Sequence, residues 1–99
     1  MISRLLAAAL GLTAALAHGQ ESPAARSLAA TCAACHGTDG RSVTQEVPSL
    51  AGLPREQIVA QMRAFRDGTR AASIMPQIAK GYSEAEIQAL ADYFARRPR

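Results

Sequence analysis

The distribution of aromatic residues is the strongest constraint on how this chain folds. Its 99 residues contain two Phe, two Tyr and no Trp. All four (Phe65, Tyr82, Tyr93 and Phe94) lie beyond position 64. Composition is otherwise that of a globular protein, 48% hydrophobic and 19% charged, so the chain is not an intrinsically disordered one. A domain of this size has a marginal core even when aromatics are evenly spread. The N-terminal half must therefore complete its packing against something its own side chains do not supply. The length admits one small domain and excludes a Rossmann unit or a polytopic membrane protein. Eleven Lys and Arg against eight Asp and Glu give a formal charge of +3. The basic residues are spread along the chain without a dense block, so no nucleic-acid footprint is present.

The first residues read as an address. Arg4 supplies a positive start, Leu5–Ala17 is an apolar run, and Ala15-Leu16-Ala17 fits the small-x-small cleavage rule. The run is shorter than the roughly 20 residues a membrane span needs. Residues 1–17 are thus expected to be a cleaved secretory signal peptide, leaving residues 18–99 as a single domain in the periplasm with no membrane span. Export places the cysteines in oxidising surroundings.

Helical signals dominate the remainder. Ser22-Pro23 is an N-cap followed by proline at the first helical position. Ala25, Leu28, Ala29 and Cys32 then recur at helical spacing, predicting a helix over Pro23–Ala34. Gly37, Asp39, Gly40, Ser42, Pro48 and Gly52 mark a long loop. Pro54 opens a second helix whose apolar face is Ile58, Val59, Met62 and Phe65, and Gly68 stops it. Thr69 to Gly81 reads as irregular around Pro76. Ser83-x-x-Glu86 is a capping box, and Ile87, Leu90, Ala91 and Phe94 follow at i, i+3, i+4 and i+7 until Pro98 ends the helix. No strand alternation occurs. The expected architecture is all-α, with about three main helices and two long loops that need a scaffold.

Both cysteines sit in Cys32-Ala33-Ala34-Cys35-His36. A thioredoxin-type pair would follow a strand, and none precedes Cys32. A zinc site needs four ligands, and the motif supplies at most three. A plain disulfide is the remaining minor alternative. CxxCH is the signature of covalent haem attachment. On one helical turn Cys32, Cys35 and His36 share a face. Two thiols there can add to the two vinyl groups of a porphyrin edge while the imidazole reaches the iron. A buried haem c would also supply the missing aromatic bulk, and the two loops would wrap its faces.

The second axial ligand is expected to be Met75. Met62 belongs to a helical apolar stripe and reads as core filling, and His18 lies beside the expected new N-terminus. Met75 has no helical face to explain it, and Pro76 biases it toward extended backbone. His/Met ligation fills both axial positions and raises the reduction potential, which points to outer-sphere electron transfer. A five-coordinate, ligand-binding haem is the catalytic rival. A carbonyl near Pro48 is the candidate acceptor for the other His36 N–H. Arg70, Lys80 and Tyr82 are candidates for holding haem propionates, with Arg70 read more readily as solvated. Arg96-Arg97-Pro98-Arg99 reads as a frayed helix end whose cations suit the helix dipole.

With these residues in place, the chain from residue 18 onward resembles a class I c-type cytochrome. The segments Pro48-Ser-Leu-Ala-Gly-Leu-Pro54 and Ala72-Ser-Ile-Met-Pro-Gln-Ile-Ala-Lys-Gly-Tyr-Ser83 are similar to those of the haem subunit of flavocytochrome c sulfide dehydrogenase. The resemblance implies one covalent haem c on Cys32 and Cys35, and His36 and Met75 as axial ligands. It also implies an FAD-containing sulfide dehydrogenase subunit as electron donor. A single CxxCH departs from the two-haem form of that family, and a free soluble cytochrome serving an oxidase or reductase is the alternative.

Overall fold

The computed structural model describes residues 21–99. The expected signal segment, its cleavage point and His18 lie outside the described residues. Among the described residues five helices follow in order: α1 Pro23–Ala30, α2 Ala33–His36, α3 Arg55–Asp67, α4 Met75–Ala79 and α5 Glu84–Ala95. A 3-10 turn, Thr38–Gly40, follows α2. No strand occurs among the described residues, and the fold is all-α, as the helical patterning implied.

Helix α5 is the spine. Ser83 Oγ accepts the Glu86 N–H at 3.2 Å, while Glu86 returns a carboxylate oxygen to the Ser83 N–H at 2.9 Å. This reciprocal cap satisfies two amides that would otherwise lack partners. The apolar stripe then buries Ile87, Leu90, Ala91 and Phe94. Burying each large side chain contributes about 1.5–3 kcal/mol. Helix α1 packs on α5, α3 packs on both α4 and α5, and the shared core holds Ala29, Ile58, Val59, Ile87, Leu90, Ala91, Tyr93 and Phe94. Gly68, left-handed at φ 79°, ends α3 where the sequence placed its stop. Three arginines of α3 tie it to α5: Arg55 to Asp92 and Gln88, and Arg63 and Arg66 both to Glu84.

Two expectations about helix boundaries are corrected. The helix expected over Pro23–Ala34 is two helices separated at Thr31–Cys32. Thr31 donates its hydroxyl to Leu28 O at 2.7 Å, a back-bond of the kind that bends a helix. The segment expected to be irregular, Thr69–Gly81, contains α4. Pro76 lies in the first turn of α4, where its missing N–H has no partner to lose, and Met75 is helical rather than extended.

The long loop Arg41–Pro54 is closed rather than open. The Gly40 carbonyl accepts from both Leu50 N (2.7 Å) and Ala51 N (3.1 Å), and Ser42 N donates to Ser49 Oγ at 2.9 Å. Gly40 must be glycine: at φ 77°, a Cβ there would lie 2.8 Å from Phe94 Cδ1 and 3.0 Å from Ala51 N. The C-terminal residues are also anchored, which corrects the expectation of a frayed end. The Arg97 guanidinium lies 4.3 Å from the Tyr93 ring centroid, its Nε donates to Tyr93 O, and it pairs with Glu21. Arg41 donates to Pro98 O, and Arg99 donates to Gly52 O.

Candidate haem-binding site

The site begins where α1 breaks. Cys32 N–H donates to Ala29 O, and then Cys35 N–H and His36 N–H both return to Cys32 O, at 3.3 and 2.9 Å. The motif therefore winds as one helical turn, which is the placement its spacing requires. Gly37 ends it at φ 84°, ψ 165°. A Cβ at Gly37 would lie 1.9 Å from Arg41 O, so only glycine allows the chain to reverse immediately after His36.

His36 is buried, 9% exposed. Its Nδ1 is 2.7 Å from Pro48 O. A carbonyl can only accept, so Nδ1 is the donor, and in the neutral ring Nε2 then keeps its lone pair. The long loop thus delivers a main-chain acceptor that sets the imidazole tautomer, as is usual behind a metal-ligating histidine.

Both thiols are free, Cys32 half-buried and Cys35 exposed. Burial pushes the Cys32 thiol up from its ordinary range, with Cys35 adding to the rise and the Thr31 hydroxyl opposing it. A raised thiol is the reverse of the activated thiolate of a redox-active CxxC. Among the described residues, no group of three or more His, Cys, Asp or Glu side chains converges as a metal cage would require. The zinc reading therefore has no geometry to support it.

The apolar core is left with an unfinished edge. Leu28 and Cys32 from α1 and its end, Leu50 and Leu53 from the long loop, Met62 from α3 and Tyr82 after α4 all pack against the core yet stay half-exposed. On α4 and just before it, Ile78 is 38% and Ile74 61% exposed. Two free thiols, an imidazole with an available nitrogen and an incomplete apolar rim fit a covalently attached porphyrin. Such a group would cover that rim and supply a one-electron centre.

The other candidates are placed as follows. Met75 is half-buried at the first position of α4. Lys80 is exposed. Tyr82 donates to Thr31 Oγ1 at 2.9 Å, because Thr31 has already committed its own proton to Leu28 O. Arg70 lies 4.7 Å from the Phe65 ring centroid and donates to Gln61. Sequence reasoning missed Thr31, and also Asp39, which is left-handed at φ 54° and accepts the Tyr93 hydroxyl at 2.7 Å. Neither has a local signal, since their partners lie 51 and 54 positions away.

A compact all-α domain in which CxxCH closes one helical turn and its histidine is oriented by a loop carbonyl defines a c-type cytochrome. Comparison with known proteins agrees. The family described as "Cytochrome C oxidase, cbb3-type, subunit III" matches residues 19–94. The chain is 42% identical over 67 residues to the cytochrome subunit of sulfide dehydrogenase from Chlorobaculum tepidum, covering 68% of this chain and 60% of that one. It is 37% identical over 68 residues to cytochrome c-554(548) of Halomonas halodenitrificans, covering 66% of this chain and 82% of that one. Among solved structures, cytochrome c4 of Acidithiobacillus ferrooxidans superimposes with a TM-score of 0.66 at 30% identity, over 79% of this chain and 52% of that one. The chain belongs to this cytochrome c family, as a class I c-type cytochrome like the sulfide dehydrogenase subunit. Membership implies covalently bound haem c and a role as an electron carrier. No described helix is long and apolar enough to cross a membrane.

Proposed function

We propose that this protein is a periplasmic monohaem electron carrier. One haem c is joined by thioether bonds to Cys32 and Cys35, with His36 Nε2 and Met75 Sδ as axial ligands. The observation that carries the reading is the His36 Nδ1–Pro48 O bond of 2.7 Å, which leaves the opposite nitrogen available beside two free thiols. With His36 and Met75 both holding it, the haem would have no free position for a substrate and would supply a one-electron centre. Pro48 orients the imidazole. Lys80 is an exposed cation suited to a propionate, and Tyr82 stands beside the site with its proton already engaged. Residues 1–17 act as the export signal, and residues 18–99 form the mature domain.

The donor we favour is an FAD-containing sulfide dehydrogenase subunit, on the strength of the Chlorobaculum tepidum relative. A free soluble carrier is the second reading, favoured by the 82% coverage of cytochrome c-554(548). Absorption of the denatured holoprotein and iron analysis should give one haem per chain. A colourless product when the chain is matured in a competent host removes the proposal. In the native protein, Met75→Ala should abolish the weak near-infrared sulfur-to-iron band and let carbon monoxide bind the ferrous form. An unchanged spectrum assigns the second ligand elsewhere. Co-purification with a flavoprotein separates the two carrier readings, and a clean monomer that ignores flavoproteins leaves the free carrier.

A further inference from the structure

Met75 opens a hydrogen-bonded run that does not stop with α4. Gln77 N and Ile78 N donate to Ile74 O, Lys80 N donates to Pro76 O, Gly81 N to Ile78 O and Tyr82 N to Ala79 O, all within 3.3 Å. Residues 74–82 therefore form one continuously hydrogen-bonded rod with Met75 near its start and Tyr82 at its end. The capping box at Ser83 fixes the far end to α5. Along its length α4 packs chiefly on α3, whereas α1 packs on α5. The rod and the cysteine-bearing segment thus belong to different packing pairs. A direct polar connection between them is the bond from the Tyr82 hydroxyl to Thr31 Oγ1, 2.9 Å long, on the residue that immediately precedes Cys32. Thr31 Oγ1 is in turn held by its own bond to Leu28 O. The acceptor is pinned, so the Tyr82 end of the rod is registered against α1.

We infer that the Tyr82–Thr31 hydrogen bond is a latch that registers the Met75 rod against the cysteine segment and so controls how readily the Met75 sulfur gives way to an incoming ligand. Tyr82 and Thr31 are positioning residues: neither needs to touch the iron, and both act through the rod. The inference rests on the axial role proposed for Met75. Removing the hydroxyl as Tyr82→Phe keeps the ring in its half-buried place and cuts one contact. Without it the Tyr82 end of the rod loses its register against α1, and the continuous hydrogen bonding carries that change to Met75 at the other end.

The test uses imidazole binding to the ferric holoprotein, followed with the near-infrared sulfur-to-iron band. Tyr82→Phe and Thr31→Val should each tighten imidazole binding by about fivefold, the factor one neutral hydrogen bond provides. The double variant should add nothing further, since both changes cut the same bond. Thr31→Ser, which keeps the hydroxyl, should restore parental binding. Thermal unfolding of each variant verifies that it folds, and Thr31→Val probes the same bond if Tyr82→Phe is poorly soluble. Parental imidazole affinity in Tyr82→Phe and Thr31→Val, with the band present in the parent, overturns the latch alone. Full additivity in the double variant does the same. Absence of the band from the parent overturns the axial role of Met75 and the latch with it.

Discussion

Tyr93→Phe isolates a single interaction. The ring is buried in the core, sits edge-on to Phe94 with centroids 5.2 Å apart, and carries Arg97 on its face. All of that packing is available to Phe. The substitution removes only the hydroxyl that donates to Asp39 Oδ1 at 2.7 Å. Hydrogen bonds to a charged acceptor contribute about 1.5–3 kcal/mol. The Asp39 side chain is 39% exposed, so water recovers part of the loss, and a cost of about 1–2 kcal/mol is expected. In a domain of this size that lowers the melting temperature by about 4–16 °C. The pH dependence gives an independent signature. The Asp39 bond, and then burial, push the Tyr93 hydroxyl above its ordinary value of 10.0. A raised folded-state value means the contribution is complete below the unfolded tyrosine pKa of about 10 and is lost as pH climbs through the higher folded value. The gap between parent and Tyr93→Phe should therefore be constant from neutrality to about pH 9 and close in strong alkali. Scanning calorimetry of the holoprotein at a series of pH values measures it. A gap under about 1 °C at neutral pH, or one that stays open in alkali, refutes the reasoning.

Glu84 is held down to about 2 by the Arg63 hydrogen bond first and by Gln88 and Arg66 besides. Its contribution should be present above pH 4.5 and disappear as pH falls toward 2, so Glu84→Gln should flatten the acid limb of the stability profile, read by circular dichroism. Gly40→Ala and Gly68→Ala share a positive φ but differ in space, since nothing lies within 4 Å of a Cβ at Gly68. Gly68→Ala should cost about 1 kcal/mol, and Gly40→Ala about 2–4 kcal/mol because the Phe94 ring and the Ala51 amide must also shift, as chemical denaturation would show. Ser83→Ala removes half of the capping box and should cost about 1 kcal/mol; equal midpoints for parent and variant would show that the cap is dispensable.

Legibility in the sequence tracked the range of the interaction that sets each feature. Helix α5 could be read residue by residue because its start signal, Ser83 with Glu86, and its buried stripe both lie within one helix. Helix α3 was bounded by Pro54 and Gly68 for the same reason. The break at Thr31 was not legible, because threonine in a helix either points outward or bonds back to Leu28, and only the surroundings choose. Helix α4 escaped because five residues are too few to show periodicity, and a helix that short is held by packing on α3 rather than by its own propensity. The Cys32–His36 turn was legible from spacing alone. The approach of Pro48 to His36 could be reasoned from the fixed φ of proline, but the identity of the acceptor depended on how Gly37 and Gly40 route the chain. Tyr82 with Thr31 and Tyr93 with Asp39 are meetings of distant segments that no local pattern announces. The arginines at the end of the chain misled for a related reason: their positive charge suited a helix terminus, but Arg97 is held by the Tyr93 ring and Glu21.

The acceptor behind His36 belongs to the main chain. No amino-acid exchange at position 48 can delete that oxygen, and it has no proton of its own to gain in acid. What can alter it is the course of the strap between Gly40 and Pro54. A protein that docks on this strap and shifts it by a few tenths of an ångström would reorient the imidazole at a distance, without touching the ring.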